Sequence, residues 1–128
     1  MRSKFDKFLL TAPEAEVINV IWEDSPITVA KIVESIPRHL AYTTVMTTVR
    51  ILEEKGFVVQ CGKRGRAFLY RAAVDRDQAR DSMSREVANR FFGGSVKSML
   101  LNLVQGDAIT DDDLAEIKCL INQLEGER

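Results

Sequence analysis

With 128 residues, 45% hydrophobic and 29% charged, the chain has the composition of an ordinary soluble protein. Its length allows one domain, or one small domain plus an appended segment. No run approaches the roughly 18 apolar residues of a membrane span, and the N-terminus MRSKFDKFLL lacks the apolar length of a secretory signal, so a cytoplasmic location is expected. The net charge of −1 conceals an asymmetry: residues 1–74 carry 11 Lys or Arg against 8 Asp or Glu, and residues 75–128 carry 7 against 11.

The first ten residues read as a short arm. Thr11-Ala-Pro-Glu14 has the spacing of a capping box with proline inside the first turn, which predicts a helix from there to about Trp22 or Glu23. Val17, Ile18 and Ile21 form its inward stripe, and Asp24-Ser25-Pro26 breaks it. Thr28 is the next N-cap, with Ile27 and Ile32 placed to form a hydrophobic staple. Val29, Ile32, Val33 and Ile36 give a short second helix a buried face, and Pro37 ends it.

A third helix is predicted over Ala41–Lys55, closed by Gly56. At 100° per residue Val45, Val49 and Leu52 share one side, while Thr43, Thr47, Arg50 and Glu54 share the other, flanked by Thr44 and edged by Met46. Threonines are weak helix formers, so three of them on an outward face are unusual for a plain solvent surface. Short hydroxyl and methyl groups suit base edges and thymine methyls, and arginine reaches guanine or phosphate. This reads as a DNA-recognition helix; the plainer alternative is a β-branched core helix with incidental threonines.

After Gly56 the period becomes strand-like. Residues 57–61 and 67–71 flank Gly62-Lys-Arg-Gly-Arg66, which predicts a β-hairpin with a basic loop. Between residues 38 and 71, Arg38, Arg50, Lys55, Lys63, Arg64, Arg66 and Arg71 stand against only Glu53 and Glu54, a polyanion-facing cluster. Three helices followed by such a hairpin define a winged helix-turn-helix, whose wing can follow the phosphate backbone or enter a minor groove.

From Asp75 the character changes. Asp75 and Gln78 cap a fourth helix with a stripe of Ala79, Met83, Val87 and Phe91, ended by Gly93-Gly94. Ser95 starts a fifth, Val96–Val104, apolar on nearly all sides through Met99, Leu100, Leu101, Leu103 and Val104. Thr110 through Asp113 cap a sixth carrying Leu114, Ile117, Ile121 and Leu124. Three helices of this size seldom stabilise a core alone. A second copy would cover these stripes; packing onto the first domain is the alternative. The fold class is therefore mainly α with a small β-hairpin wing: a winged-helix DNA-binding domain over 1–74 and a helical dimerisation segment over 75–128.

The chain also resembles the penicillinase repressor and methicillin-resistance repressor family. The residues that carry the likeness are Leu10 to Val17 with Ile21-Trp22, Ala41-Tyr-Thr-Thr-Val45, Leu52 to Val58, Gly65 to Tyr70, and Phe91 through Leu103, over about residues 9–125. The resemblance implies a homodimeric repressor on a dyad operator in double-stranded DNA, controlling β-lactamase-type or other stress-response genes. Carried over, it places Thr43, Thr44, Met46 and Thr47 against bases and Arg64 and Arg66 in the wing, where the hairpin reading also puts Lys63. It further implies release by a membrane-bound sensor metalloprotease that cuts the middle dimerisation helix between Asn and Phe. The matching bond here is Asn102–Leu103, with leucine in place of the aromatic. Copper-responsive relatives carry C-x-C motifs, which this chain lacks.

Other functions leave weaker traces. His39 is the sole histidine, without a nearby cysteine, serine motif or carboxylate pair, so no enzyme is indicated. Cys61 and Cys119 lack metal-site spacing, and Asp111-Asp112-Asp113 suit a helix N-terminus better than a metal, so neither metal nor cofactor is expected. A protein–protein winged-helix adaptor, or a redox-responsive repressor using Cys61, remain the alternatives.

Overall fold

The computed structural model describes residues 9–127; most of the expected N-terminal arm lies outside them. Helices α1 (Ala12–Glu23), α2 (Val29–Ser35) and α3 (Tyr42–Glu54) are followed by strands β1 (Val58–Arg64) and β2 (Ala67–Ala72), then α4 (Arg76–Phe91), α5 (Val96–Gln105) and α6 (Asp111–Gly126). The chain divides into two compact units, one ending at Ser84 and the other spanning residues 85–128. Among the described residues no helix is long and apolar enough to cross a membrane.

The first unit is a winged helix with one core. Val17, Ile18 and Ile21 from α1, Val29 and Ile32 from α2, and Val45, Val49 and Leu52 from α3 are buried together. The i, i+3, i+4, i+7 spacing of these residues makes the three helices amphipathic, and each turns its stripe inward. Ile27 and Ile32, the predicted staple around the Thr28 cap, both join this core. Ile27 also exchanges two backbone hydrogen bonds with Tyr70, at 3.0 and 2.8 Å, so the residue before α2 is tied to the hairpin.

Two local expectations change. The capping box at α1 is only half formed. The Thr11 hydroxyl accepts from the Glu14 N–H at 3.4 Å, but the Glu14 carboxylate accepts from the Lys55 ammonium at 2.6 Å instead. Both side chains are more than nine-tenths buried, so the ion pair outcompetes the cap by joining the start of α1 to the end of α3. The hairpin loop is also shorter than expected. Lys63 and Arg64 belong to β1, paired with Phe68 and Ala67, and the turn is Gly65-Arg66 alone. A bulge between Gln60 and Gly62 leaves Cys61 without a partner residue and extends the ladder. Gly65, at φ 64°, takes a left-handed position that a side chain would strain.

Trp22 closes the bottom of this unit. Its indole N–H donates to the Val74 carbonyl at 3.0 Å, and Arg76 lies over its ring while pairing with Glu23 at 2.7 Å. The Asp75 carboxylate caps α4 as the sequence predicts, accepting from the N–H groups of Asp77 and Gln78. The stripe predicted along α4 for a second copy divides: Ala79 is buried in the winged-helix core, and Met83 packs against that core within its own chain. Phe91, at the far end, is exposed.

In the second unit, Ser95 caps α5 and Thr110 caps α6. There the box is complete: the Asp113 N–H donates to the Thr110 hydroxyl and the Thr110 N–H donates to Asp113. Neither α5 nor α6 has a buried residue. Leu100, Leu101, Leu103, Leu114, Ile121 and Leu124 are exposed, as are Val96 and Leu120, which the sequence reading passed over. Val87, Met99, Val104 and Ile117 are half-buried.

Candidate nucleic-acid interface

Helix α3 is fixed from beneath at three levels. Val45, Val49 and Leu52 are wholly buried, and Lys55 is clamped to Glu14. Between them the buried Thr48 hydroxyl donates to the Thr44 carbonyl at 2.7 Å, which satisfies its polar group within the helix. A helix held on one side so completely has little freedom to roll, and the opposite side is presented as a fixed surface.

Thr43, Thr44, Thr47 and Arg50 all lie on that surface, exposed, and Met46 is half-buried at its edge. Thr43, Thr44 and Thr47 line one wall of a groove of about 460 Å³ whose other wall is Thr11 and Pro13 at the start of α1. A smaller notch of about 240 Å³ lies on the wing side. Tyr42 and Met46 of α3, Thr28 to Ala30, and Arg66, Ala67 and Phe68 of the hairpin line it.

The wing residues separate by position. Lys63 extends its ammonium over the Phe68 ring, 4.9 Å from the centroid. Arg66 opens onto the notch beside α3, whereas Arg64 lines a different hollow with Asp24, Lys31 and Glu34. The basic cluster of the sequence is therefore smaller as a surface. Arg38 stays exposed but is neutralised by two hydrogen bonds to Glu16, at 2.9 and 3.2 Å, and Lys55 is buried against Glu14. Beside the paired Arg38, the exposed members of the cluster are Arg50, Lys63, Arg64, Arg66 and Arg71.

Tyr42 and Phe68 are the residues that sequence reasoning missed. Each is a large aromatic with close to half of its surface exposed, on either side of the notch. Phe68 could have been found from β2 itself: it shares a face with buried Tyr70 two residues on, yet lies past the edge of the core. Burial raises the Tyr70 phenol above its usual value, the Glu53 charge adds to this and Arg50 opposes it, so Tyr70 stays neutral as a core residue.

The remaining chemistry-bearing residues do not converge. His39 is exposed in the turn before α3, Cys61 and Cys119 are free and exposed, and among the described residues no cluster of His, Cys, Asp or Glu is arranged to hold a metal ion.

A three-helix core, a paired wing and a polar outward helix face define a winged-helix regulator. The sequence profile of the penicillinase repressor family matches residues 10–123, and the chain belongs to that family, whose members are transcriptional repressors and not enzymes. It is 27% identical over 112 residues to the penicillinase repressor of Bacillus licheniformis, covering 86% of this chain and 87% of that one. To the methicillin resistance regulatory protein MecI of Mammaliicoccus sciuri it is 26% identical over 116 residues, covering 89% and 94%. Among solved structures, a MepR mutant from S. aureus bound to an oligodeoxyribonucleotide is similar in fold. The TM-score is 0.51 at 13% identity, over 92% of this chain and 79% of that one.

Proposed function

We propose that the protein is a cytoplasmic homodimeric repressor whose N-terminal region, over 1–74, reads half of a dyad operator and whose C-terminal region, over 75–128, pairs with a second copy. The observation that carries the DNA reading is the outward face of α3: threonines and an arginine on a helix immobilised by a buried core, next to a basic hairpin. On this reading Thr43, Thr44, Met46 and Thr47 meet base edges in the major groove, Arg50 meets base or phosphate, and Lys63, Arg64 and Arg66 meet the backbone or the minor groove. Helices α5 and α6 support the pairing, since α5 exposes Leu100, Leu101 and Leu103 and α6 exposes Leu114, Leu120, Ile121 and Leu124, with no buried residue in either. The membership in a family of penicillinase repressors supports β-lactamase-type target genes.

Titration of full-length protein against duplexes of varied sequence and salt tests the DNA assignment. Thr44→Ala and Thr47→Ala are expected to change preference among sequences. Arg66→Ala is expected to weaken binding to all of them and to flatten the salt dependence by roughly one unit of slope. Wing variants with an unchanged slope would contradict the wing's role.

For release, the reading is proteolysis of the Asn102–Leu103 bond by a membrane-bound sensor metalloprotease. Both residues are exposed in the middle of α5. A cut there divides the most apolar helix of the dimer segment. Dimerisation makes the second half-site encounter intramolecular, at an effective concentration that reaches millimolar for short linkers. Losing it weakens operator binding by powers of ten without altering one DNA contact. Mass spectrometry of protein from cells exposed to a β-lactam checks this. An intact chain with derepressed genes would replace proteolysis with a small-molecule or redox signal.

A further inference from the structure

The notch between α3 and the wing includes Met46 and Arg66, already assigned to bases and backbone, but its two aromatic residues, Tyr42 and Phe68, have no role in what is described above. Its walls are the Tyr42 ring and Met46 on the α3 side and Phe68 on the wing side. These are apolar groups of large area, left exposed where a polar surface would cost less. Its rim is polar and cationic: the Thr28 hydroxyl and Arg66 border it, and the Lys63 ammonium rests on the Phe68 ring. An apolar slot with cations at its lip suits a ligand unit that is itself apolar in the middle and anionic at its ends.

Resting on the DNA-binding reading, we propose that this notch grips one deoxyribose of the strand that separates the major groove entered by α3 from the neighbouring groove approached by the wing. A protein element in each of two adjacent grooves must straddle the sugar–phosphate strand between them, and the notch lies between those two elements. Tyr42 and Phe68 close on the sugar's carbon-bound hydrogens, while Arg66 and Lys63 meet the flanking phosphates. Tyr42 is the first residue of α3, and helical side chains lean toward the N-terminus, which carries its ring away from the base-reading threonines and toward the notch. The contact fixes how deeply and at what angle α3 enters the groove, and it discriminates deoxyribose from ribose, because a 2′-hydroxyl would be pressed between two apolar walls.

The signature of such a contact differs from both kinds already assigned. A base contact changes sequence preference, and a phosphate contact changes salt dependence; a sugar contact changes neither. With full-length protein and a duplex selected from a random pool, Phe68→Ala is expected to weaken binding about five- to tenfold per half-site, as loss of a partly exposed aromatic contact implies. The loss should be equal across sequences, with an unchanged salt slope. Arg66→Ala serves as the contrast, losing slope. Both aromatic side chains are substantially exposed, so melting temperatures are expected to stay close to wild type.

The DNA side supplies an independent measurement. A single ribonucleotide is moved along each strand of the selected duplex. One position per half-site should weaken wild-type binding, and that penalty should vanish in Phe68→Ala, a coupling that a double-mutant cycle resolves. A position-independent ribonucleotide effect, or a Phe68→Ala loss confined to particular sequences, overturns the sugar grip while leaving DNA binding itself standing. Wild-type protein that binds no duplex overturns both.

Discussion

In the N-terminal unit Val17, Ile21, Ile32, Val45, Val49 and Leu52 lose all contact with solvent. In α5 and α6 nothing is buried, and Leu100, Leu101, Leu103, Leu120, Ile121 and Leu124 each keep between 49% and 55% of their surface exposed. The two regions contain similar apolar residues at similar helical spacing; what differs is whether the chain supplies the opposite face. Residues 12–74 supply three helices and a hairpin that close on one another. The last two helices supply amphipathic faces, and covering the six exposed residues above would contribute on the order of 1 kcal/mol each. A core that is complete can hold a rigid reading surface; under the proposed pairing, the incomplete one would make affinity depend on a second copy.

That contrast breaks most sharply at the Glu14–Lys55 pair. Replacing Glu14 by Ala leaves a buried ammonium without its partner and is expected to cost about 3–5 kcal/mol. Urea denaturation followed by Trp22 fluorescence measures it. A loss below about 1 kcal/mol would show that the pair is solvated in solution and that α3 is held by apolar packing alone.

The opposite half of the contrast is tested by Leu101→Asp or Ile117→Asp. Either places a charge where a partner helix is expected and should weaken self-association at least a hundredfold, about 3 kcal/mol. Sedimentation equilibrium reads the shift to monomer, while the winged-helix unfolding transition should stay where it was. Loss of both together would mean that the N-terminal unit does not stand on its own core.

How much of this was legible in the sequence follows from the same contrast. Periodicity located the helices, because burial against a nearby face leaves a repeating trace: Val45, Val49 and Leu52 are the stripe it named. Caps at Thr28, Asp75, Ser95 and Thr110 were equally legible, since they depend on residues three positions away. What escaped was long range or irregular. Glu14 meets Lys55 across 41 positions, so a local capping rule claimed it wrongly. The bulge at Cys61 shifts the hairpin by one residue and turned an expected five-residue loop into a two-residue turn. Arg38 and Lys55 counted toward a basic surface until their partners on α1 were known. At the candidate site, the threonine face was legible from α3 alone, but the notch joins residues from three elements and has no sequence signal.

Smaller effects sharpen the comparison within each unit. Thr44→Ala or Thr47→Ala is expected to cost about 1–3 kcal/mol in discrimination between the selected duplex and one altered at the contacted base pair. Stability and oligomeric state should not change, as both hydroxyls are exposed. Competition binding with single-base-pair variants measures this, and uniform weakening across variants would reassign the residue to backbone contact.

The smallest effect is expected at the start of α6. Thr110→Ala removes the hydroxyl half of the capping box, leaves the backbone half, and should destabilise that helix by about 1 kcal/mol, read by hydrogen exchange in its first turn. Hydrogen bonds from the Thr110 backbone and hydroxyl hold the Asp113 carboxyl below its usual value. Its contribution is therefore full above the ordinary aspartate value and fades as pH falls through the depressed one. Asp113→Ala should abolish that acid-dependent fraying; a pH profile identical to wild type would place its cause at another carboxylate.

The measurement that bears most directly on the central claim is selection of bound duplexes from a random DNA pool by the full-length protein. An enriched motif with dyad symmetry is predicted, its half-sites about 10 base pairs apart centre to centre or a multiple of that. Enrichment of a single undivided motif would contradict the homodimer, and a pool left unenriched would contradict sequence-specific DNA binding altogether.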